Sequence, residues 1–229
     1  MTRILVTGAG GQLGRALLPL LTPHAAVTAL GRHSGPSGPH LTWTPHDLLQ
    51  SPPDLAGVDT VIHLATNALK PGQDERMTRH VVQAAQAAGT HHVLYMSIVG
   101  LERMQAAPYY AEKLRCEALL EGSGLPFTIL RATQFTEFLD GLLGMLRFGP
   151  LQLVPAGVTL QPLPALAAAE RLADLARQGP QGRVPDLCGP GTVRLDDLAR
   201  ARGGLTLPLP LPLPLFRAWQ HGRACGPIS

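Results

Sequence analysis

The chain has 229 residues, of which 45% are hydrophobic and 15% charged, and its formal net charge is +3. This length fits one large domain, and the small, unclustered charge argues against a nucleic-acid partner. The three cysteines and nine histidines show no disulfide framework and no metal spacing, so we predict no metal site and a reducing, cytoplasmic location.

No membrane partner is expected either. The amino-terminal residues are typical of a strand rather than of a signal peptide. The longest uncharged stretch, 149–169, contains four prolines and is therefore not a membrane span. The sequence leaves open whether the protein is a monomer or a homodimer.

Strands and helices alternate along the first 131 residues. Hydrophobic patterning predicts strands over 3–7, 26–30, 41–43, 58–65, 92–97 and 127–131, and helices over 12–21, 73–88 and 108–121. This alternation is typical of a Rossmann-type α/β fold, a doubly wound parallel sheet covered by helices on both faces. We predict a single domain, with a cofactor-binding core over 1–131 and a small substrate cap over 132–229. Within the cap, helices are predicted over 137–147, 166–178 and 195–201.

Four glycines stand within seven positions between the first strand and the first helix, namely Gly8, Gly10, Gly11 and Gly14. Glycine costs backbone entropy, so such a cluster requires a conformational or close-approach reason. A glycine turn between a strand and a helix cradles phosphate, because the first N–H groups of the helix are unpaired and its dipole attracts anions. The spacing is T-G-x-x-G-x-x-G, since Leu13 stands where the stricter fingerprint has glycine. We predict a dinucleotide site that includes Gln12 and Leu13.

The residues after the second and third strands indicate which dinucleotide binds. NAD-binding folds carry an acidic residue at the end of the second strand, whereas no Asp or Glu precedes Asp47 here. Arg32 stands in its place, with His33 and Ser34 as further donors, and a guanidinium suits the 2′-phosphate of NADP. We therefore predict a preference for NADP(H) over NAD(H). Asp47 and Leu48 are expected at the adenine.

The fourth strand is predicted to end at the ligand-binding edge of the sheet. Leu64, Ala65 and Thr66 follow its buried residues and are expected to contact the cofactor.

Tyr109 and Lys113 lie four residues apart and share one face of a predicted helix. Reduction of a carbonyl needs a proton donor, and a tyrosine serves near neutral pH when a neighbouring cation lowers its pKa. We predict that Tyr109 donates the proton, Lys113 supplies the charge and Ser97 polarises the carbonyl. Of nineteen basic residues only Lys70 and Lys113 are lysines, which favours a specific requirement for an ammonium at position 113.

The segment 205–215 alternates leucine with proline after Thr206. Its prolines remove every second N–H, so we predict a polyproline II strap on the surface. Its spacing does not fit an SH3-type ligand, which needs prolines three apart.

The motifs TGAGGQLG, YYAEK and GLPFTILRATQF, with the Arg-His after the second strand and Ser97, resemble the atypical short-chain dehydrogenases/reductases. The NmrA-like, NAD(P)H-binding epimerase/dehydratase-like branch is the most similar. The resemblance implies that the 7–14 loop binds pyrophosphate and that Lys113 binds the nicotinamide ribose. It also implies a nicotinamide pocket lined by Ala132, Thr133 and Phe135.

Three functions remain open at this point. The first is an NADPH-dependent reductase of a small carbonyl, quinone or similar electrophile, with an apolar pocket from Met104, Phe135, Phe138 and Leu142. The second is a non-catalytic NADP(H) sensor that regulates a partner protein. The third is a nucleotide-sugar epimerase or dehydratase, which the short carboxyl-terminal part argues against.

Overall fold

The computed structural model describes residues 1–68, 70–203 and 205–209. Its strands are β1 (Thr2–Thr7), β2 (Ala25–Gly31), β3 (Leu41–Pro45), β4 (Thr60–His63), β5 (His92–Ile98), β6 (Phe127–Ala132), β7 (Arg147–Phe148), β8 (Leu151–Pro155), β9 (Thr159–Leu160), β10 (Gly182–Arg183), β11 (Val193–Arg194) and β12 (Leu205–Leu209). Its helices are α1 (Gln12–Leu21), α2 (Gln73–Ala88), α3 (Pro108–Glu121), α4 (Thr136–Met145), α5 (Ala165–Gln178) and α6 (Leu195–Ala201), with a 3-10 turn at Leu101–Arg103.

The central sheet has seven strands in the order β10-β6-β5-β4-β1-β2-β3. Every neighbouring pair is parallel. The chain first adds strands on one side of β1 and then crosses to the other side with β4, so the order reverses between β1 and β4. This is the doubly wound Rossmann arrangement, and it confirms the predicted fold class.

Helices cover both faces of the sheet, as the alternating pattern predicts. α1 and α5 pack together on one face, where Leu17 and Leu172 are fully buried in the first core. α2 and α3 pack together on the other face, where Val81 and Cys116 are fully buried in the second core. The central strands are buried from both sides, which explains their continuous apolar runs.

The ends of α2 are set by one local and one tertiary feature. Its carboxyl end stops at Gly89, whose φ of +64° is the left-handed conformation common at helix ends. At its amino end, the buried carboxylate of Glu112 on α3 accepts hydrogen bonds from the N–H groups of Gly72 and Glu75, both at 2.8 Å. Glu112 therefore fixes the start of α2 against α3.

The part of the chain after β6 forms two small sheets and also returns to the central layers. β11 pairs with β9, and β12, β8 and β7 form a three-stranded sheet. A third core lies beneath them, with Leu139, Leu143 and Leu160 among its members. α5 covers the central sheet and β10 extends it beyond β6. The division into a core and a substrate cap stays a prediction.

The first residues of the leucine–proline segment form a strand. Leu205–Leu209 pairs in parallel with β8, so the polyproline II prediction is wrong for these residues. The N–H of Leu205 donates to the carbonyl of Pro150 at 2.8 Å. Because alternate residues of a strand face the same neighbour, the missing N–H of Pro208 points away from β8, which an edge strand tolerates. Residues 210–215 lie outside the described residues.

The helices of the described ranges are between 7 and 16 residues long. None of them combines the length and the apolar character that crossing a membrane requires. The cytoplasmic location stays a prediction.

Candidate functional site

A cleft of about 950 Å³ opens beyond the carboxyl ends of β1, β2 and β4, next to the point where the strand order reverses. Open α/β sheets bind ligands at this edge. The predicted cofactor residues that line it are Gly8, Gly10, Gly11, Arg32, His33, Asp47, Leu48, Leu64, Ala65 and Thr66. The predicted cofactor residues that do not line it are Gln12, Leu13, Gly14, Lys113, Ala132, Thr133 and Phe135.

Two glycines hold the turn after β1 in close contact with its surroundings. Gly8 has a φ of +66°, and a Cβ there would lie 2.7 Å from the backbone nitrogen of Ala65. A Cβ at Gly14 would lie 2.5 Å from the carbonyl oxygen of Ala9. Any side chain at either position would displace backbone, so packing is by itself a sufficient reason for both glycines.

Gly10 also lines the cleft, but it differs from these two glycines. Among the described residues, no atom beyond its chain neighbours lies within 4 Å of the position that its Cβ would take. α1 starts after Gly11 with no side-chain cap and no acidic residue in its first turn. The first N–H groups of the helix, from Gln12 and Leu13 onward, are thus available to an anion. The side chain of Leu13 itself packs in the first core. This open, uncapped cradle fits the pyrophosphate of a dinucleotide.

A buried hydrogen-bond system joins β1 to the backbone after β4. The hydroxyl of Thr7 accepts the N–H groups of Leu64 and Ala65, at 3.1 and 3.2 Å. Its own proton therefore goes to Nδ1 of His63 at 2.7 Å, which leaves Nε2 of His63 to donate to Thr78 at 3.1 Å. Burial, with the charge of Lys113, lowers the pKa of His63 to about 3. His63 is therefore a neutral structural group that fixes one wall of the cleft.

Positive charge surrounds the end of the cleft next to β2. Arg32 and His33 are exposed and line this end. Arg15, which the sequence analysis missed, lines it from α1 and donates from Nε to the carbonyl of Gly10 at 2.9 Å. Asp47 is the one acidic residue among the described residues that line the cleft, and its Oδ1 accepts the N–H of Leu49 at 3.0 Å.

Tyr109 lies beside the cleft, next to the backbone after β4. Its hydroxyl is 3.0 Å from Oγ1 of Thr66, and Thr66 lines the cleft. The hydroxyl of Thr66 donates in turn to Oδ2 of Asp74 at 2.5 Å. Tyr109 is half-buried, whereas the neighbouring Tyr110 is buried in the third core. The sequence analysis did not predict Asp74, because an acidic residue in the first turn of a helix is an ordinary feature.

Lys113 is buried behind Tyr109. Its Nζ lies 3.1 Å from Oδ2 of Asp74, donates to the hydroxyl of Tyr95 at 3.2 Å and lies 5.7 Å from the centroid of the Tyr109 ring. Burial alone would lower the pKa of Lys113, but the combined attraction of Tyr95, Tyr109 and Asp74 raises it well above its usual value. Lys113 is therefore a charged ammonium held between α2, α3 and β5.

Ser97 belongs to a different hydrogen-bond system. Its buried hydroxyl donates to Oε1 of Glu117 at 2.5 Å. Arg131 binds the same carboxylate with two N–H groups, at 2.9 and 2.6 Å, and Arg183 adds a third at 2.8 Å. The arginines and Ser97 together lower the pKa of Glu117 against the opposing effect of burial. The structure thus joins Ser97 to an ion-pair network that links α3, β6 and β10, and not to Tyr109.

The residues predicted to line the nicotinamide pocket, at and after the end of β6, pack against different parts of the structure. Ala132 is buried in the first core, and Phe135 packs against that core. Thr133 donates to the carbonyl of Gln161 at 2.6 Å. Their nicotinamide contact stays a prediction.

The four apolar residues expected to form a substrate pocket are not gathered in one cluster. Met104 and Leu142 pack in or against the third core, Phe135 packs against the first core, and Phe138 is 48% exposed.

A doubly wound parallel sheet with an uncapped glycine turn at its switch point defines a dinucleotide-binding protein of the Rossmann type. The sequence model of a family described as NAD(P)H-binding matches residues 8–142. The chain belongs to this NAD(P)H-binding family. The match confirms the NAD(P)H-binding character that the sequence resemblance implies.

Two curated relatives are similar in sequence. Over 201 residues the chain is 29% identical to the (4-alkanoyl-5-oxo-2,5-dihydrofuran-3-yl)methyl phosphate reductase of Streptomyces griseus subsp. griseus. The alignment covers 83% of this chain and 69% of that protein. Over 171 residues it is 27% identical to photosystem II assembly factor Ycf39 of Trieres chinensis. This alignment covers 68% of this chain and 52% of that protein.

Solved structures share the fold at low sequence identity. The NADPH-dependent quinone oxidoreductase of Escherichia coli, in complex with NADPH, has a TM-score of 0.74 at 22% identity. The superposition covers 91% of this chain and 78% of the oxidoreductase chain. The triphenylmethane reductase of Citrobacter sp., in complex with NADP(H), has a TM-score of 0.74 at 21% identity and covers 98% and 92%. A nucleoside-diphosphate-sugar epimerase of Staphylococcus aureus has a TM-score of 0.76 at 16% identity and covers 98% and 91%. Reductases and epimerases thus share this architecture.

Proposed function

We propose that the protein is an NADP(H)-dependent oxidoreductase that acts on a small carbonyl, a quinone or a related electrophile. The hydrogen bond between the phenol of Tyr109 and the cleft-lining Thr66, at 3.0 Å, carries the proposal. It supports a proton donor beside the cleft in which the dinucleotide is expected. The reductase among the sequence relatives supports the same reaction class.

When bound, the nicotinamide supplies or accepts the hydride. The chain's own residues have three tasks in this proposal. The glycine turn with Gly10 at its open side binds the pyrophosphate through backbone N–H groups. Tyr109 donates a proton to the substrate oxygen, and the nearby charge of Lys113 stabilises the phenolate that remains. The contact with Thr66, on the loop after β4, holds Tyr109 in place.

The proposed preference for NADP(H) rests on the charges near the end of β2. Arg32, with His33 and Arg15 lining the same end of the cleft, would bind a 2′-phosphate by charge and by paired N–H donors. The quinone oxidoreductase and the triphenylmethane reductase compared above, both bound to NADP(H), share the fold.

A non-catalytic NADP(H) sensor is the second candidate. The observation that favours it is the burial of Lys113, whose hydrogen-bonding partners are Asp74 and Tyr95 rather than the hydroxyl of Tyr109. Such a protein would bind the cofactor in the same cleft and turn over no substrate.

One experiment separates the two candidates. The purified protein is titrated with NADPH and with NADH, and oxidation of NADPH is then followed against a panel of carbonyl compounds and quinones. The oxidoreductase requires tighter binding of NADPH together with turnover of at least one class. Tight binding without turnover across the whole panel supports the sensor, and failure to bind either dinucleotide contradicts both.

A further inference from the structure

Thr66 lies between the phenol of Tyr109 and a buried carboxylate. Its Oγ1 is 3.0 Å from the hydroxyl of Tyr109 and 2.5 Å from Oδ2 of Asp74. Thr66 is the third residue after β4, on the loop that also lines the cleft. The two hydrogen bonds make Thr66 the link between α2 and the tyrosine of α3.

The number of protons on these groups fixes the direction of the hydrogen bonds. A threonine hydroxyl has a single proton, and in this structure it goes to the carboxylate of Asp74. The oxygen of Thr66 therefore faces Tyr109 as an acceptor, and the phenol must be the donor in the bond between them. The O–H of Tyr109 is thus held in a defined direction before a substrate enters.

Asp74 is buried and is held by two further contacts. Only 1% of the residue is exposed, its Oδ1 accepts the N–H of Asn67 at 2.6 Å, and its Oδ2 pairs with Lys113 at 3.1 Å. His63 from β4, Tyr95 from β5 and Cys116 from α3 are the other titratable groups that face this pair. A carboxylate fixed in this way holds the hydroxyl of Thr66 in one orientation.

We propose that Thr66 is a positioning residue for the reaction, which orients the phenol of Tyr109 and then stabilises its anion. This inference rests on the proposed function, because it acts through the proton that Tyr109 transfers.

The step balances as follows in protons and electrons. A hydride from the reduced nicotinamide forms a C–H bond at the carbonyl carbon of the substrate, and the π electron pair of the C=O bond moves to the oxygen. The O–H bond of Tyr109 breaks and a new O–H bond forms on the substrate oxygen. The hydroxyl of Thr66 then turns from Asp74 toward the phenolate oxygen and donates to it, while Asp74 keeps Lys113 and the N–H of Asn67 as partners. Solvent returns the proton to the half-buried phenol after product release.

Substitutions at Thr66 test the proposal on the panel substrate that the wild-type protein reduces fastest. Thr66→Val keeps the shape and removes the hydroxyl, and we expect kcat to fall about 10- to 100-fold, the usual range for a hydrogen bond to a charged group. The affinity for NADPH, measured by fluorescence titration, should change little, because the hydroxyl of Thr66 is already engaged by Asp74 and Tyr109 and the expected cofactor contact is left to its backbone. Thr66→Ser restores the hydroxyl and should recover most of kcat. The matched control is Thr90→Val, because the buried hydroxyl of Thr90 has no hydrogen-bond partner among the described residues.

A double-mutant cycle decides whether Thr66 acts through Tyr109. In the Tyr109→Phe background there is no phenol to orient, so Thr66→Val should cause no further loss of kcat. Three outcomes would each overturn the proposal. The losses of kcat from Thr66→Val and Tyr109→Phe could multiply in the double variant, or Thr66→Ser could be as slow as Thr66→Val. A weakened affinity for NADPH could also account for the whole effect of Thr66→Val. A wild-type protein that reduces nothing in the panel refutes the proposed function itself, whereas an active wild-type protein with a silent Thr66→Val refutes only this inference.

Discussion

The ammonium of Lys113 lies 3.1 Å from the carboxylate of Asp74, and both side chains are buried between α2 and α3. Breaking a buried ion pair by removing one partner leaves an uncompensated charge in a medium of low dielectric. Removal of either partner should therefore destabilise the fold as well as change the surroundings of Tyr109.

We expect Lys113→Met to lower the free energy of unfolding by about 3–5 kcal/mol, because Asp74 would remain buried without its cation. Chemical denaturation at neutral pH measures this loss. The other lysine of the chain, Lys70, is exposed, so Lys70→Met is the matched control and should change stability little. Equal effects of the two substitutions would contradict a stabilising role of the pair.

Arg32→Ala should remove most of the preference for NADPH over NADH. The loss of charge-assisted hydrogen bonds to a 2′-phosphate corresponds to about 1–3 kcal/mol in relative binding free energy. Titration of wild type and variant with both dinucleotides gives the ratio. Arg76→Ala is the control, since Arg76 is an exposed arginine of α2 that does not line the cleft. A wild-type protein that prefers NADH, or an unchanged ratio, would show the cofactor assignment to be wrong.

Tyr109→Phe should lower turnover by roughly 10²–10⁴, the usual contribution of a positioned general acid. Cofactor affinity should hardly change, because the phenol is expected to face the substrate. Tyr110→Phe keeps an aromatic ring in the third core and should leave turnover nearly unchanged, although it can affect stability. Steady-state kinetics of the two variants beside the wild type provides the measurement, and an inactive Tyr110→Phe would mean that the wrong tyrosine has been assigned.

The glycines of the turn after β1 should respond differently to substitution. Gly14→Ala introduces a Cβ 2.5 Å from the carbonyl oxygen of Ala9, so we expect a lower free energy of unfolding. The new Cβ of Gly10→Ala meets no atom of the described structure within 4 Å apart from its chain neighbours. The stability of this variant should stay near that of the wild type while its affinity for the dinucleotide falls. Thermal unfolding and cofactor titration of both variants separate the two effects. The reverse pattern would contradict the assigned roles.

Stability should decrease as the pH falls from 6.5 toward 4.5, before most carboxylates titrate. Burial lowers the pKa of His63 to about 3 and that of His92 to about 4, so the unfolded chain takes up protons that the folded chain does not. Each histidine contributes a slope of up to ~1.4 kcal/mol per pH unit in this window, and the sign favours unfolding at lower pH.

Denaturation of His63→Gln across the same pH range checks this assignment. The variant should lose roughly half of the slope, because His92 still contributes. His24→Gln, at an exposed histidine, should keep the slope of the wild type. An unchanged slope in His63→Gln would mean that His63 is not buried in its neutral form.

Helix bounds were more predictable than strand bounds. The predicted helices over 12–21, 73–88 and 108–121 have the same bounds as α1, α2 and α3. Local signals mark these ends, such as Gly89 after α2 and Pro108 at the first position of α3. The strand predicted over 58–65 is shorter in the structure, Thr60–His63, because its length depends on the partners β1 and β5.

The conformation of the leucine–proline segment also depends on a strand that is distant in sequence. Proline fixes φ in a range that suits both polyproline II and an extended strand. The sequence does not reveal that β8 offers a free edge next to Leu205–Leu209. Pairing with that edge decides the conformation.

The sequence by itself determined the parts of the site whose chemistry is local: the glycine turn, Arg32 after β2, and the four-residue spacing of Tyr109 and Lys113. Short-range backbone geometry is enough to place each of these groups. Only the tertiary structure decided that Asp74 on α2 binds Lys113, that Thr66 contacts Tyr109, and that Ser97 donates to Glu117. These partners are distant in sequence and meet because α2 and α3 pack against each other and α3 also packs beside β5 and the loop after β4. A buried charge or hydroxyl takes the partner that packing brings within reach, since leaving it unpaired costs more than any local preference provides.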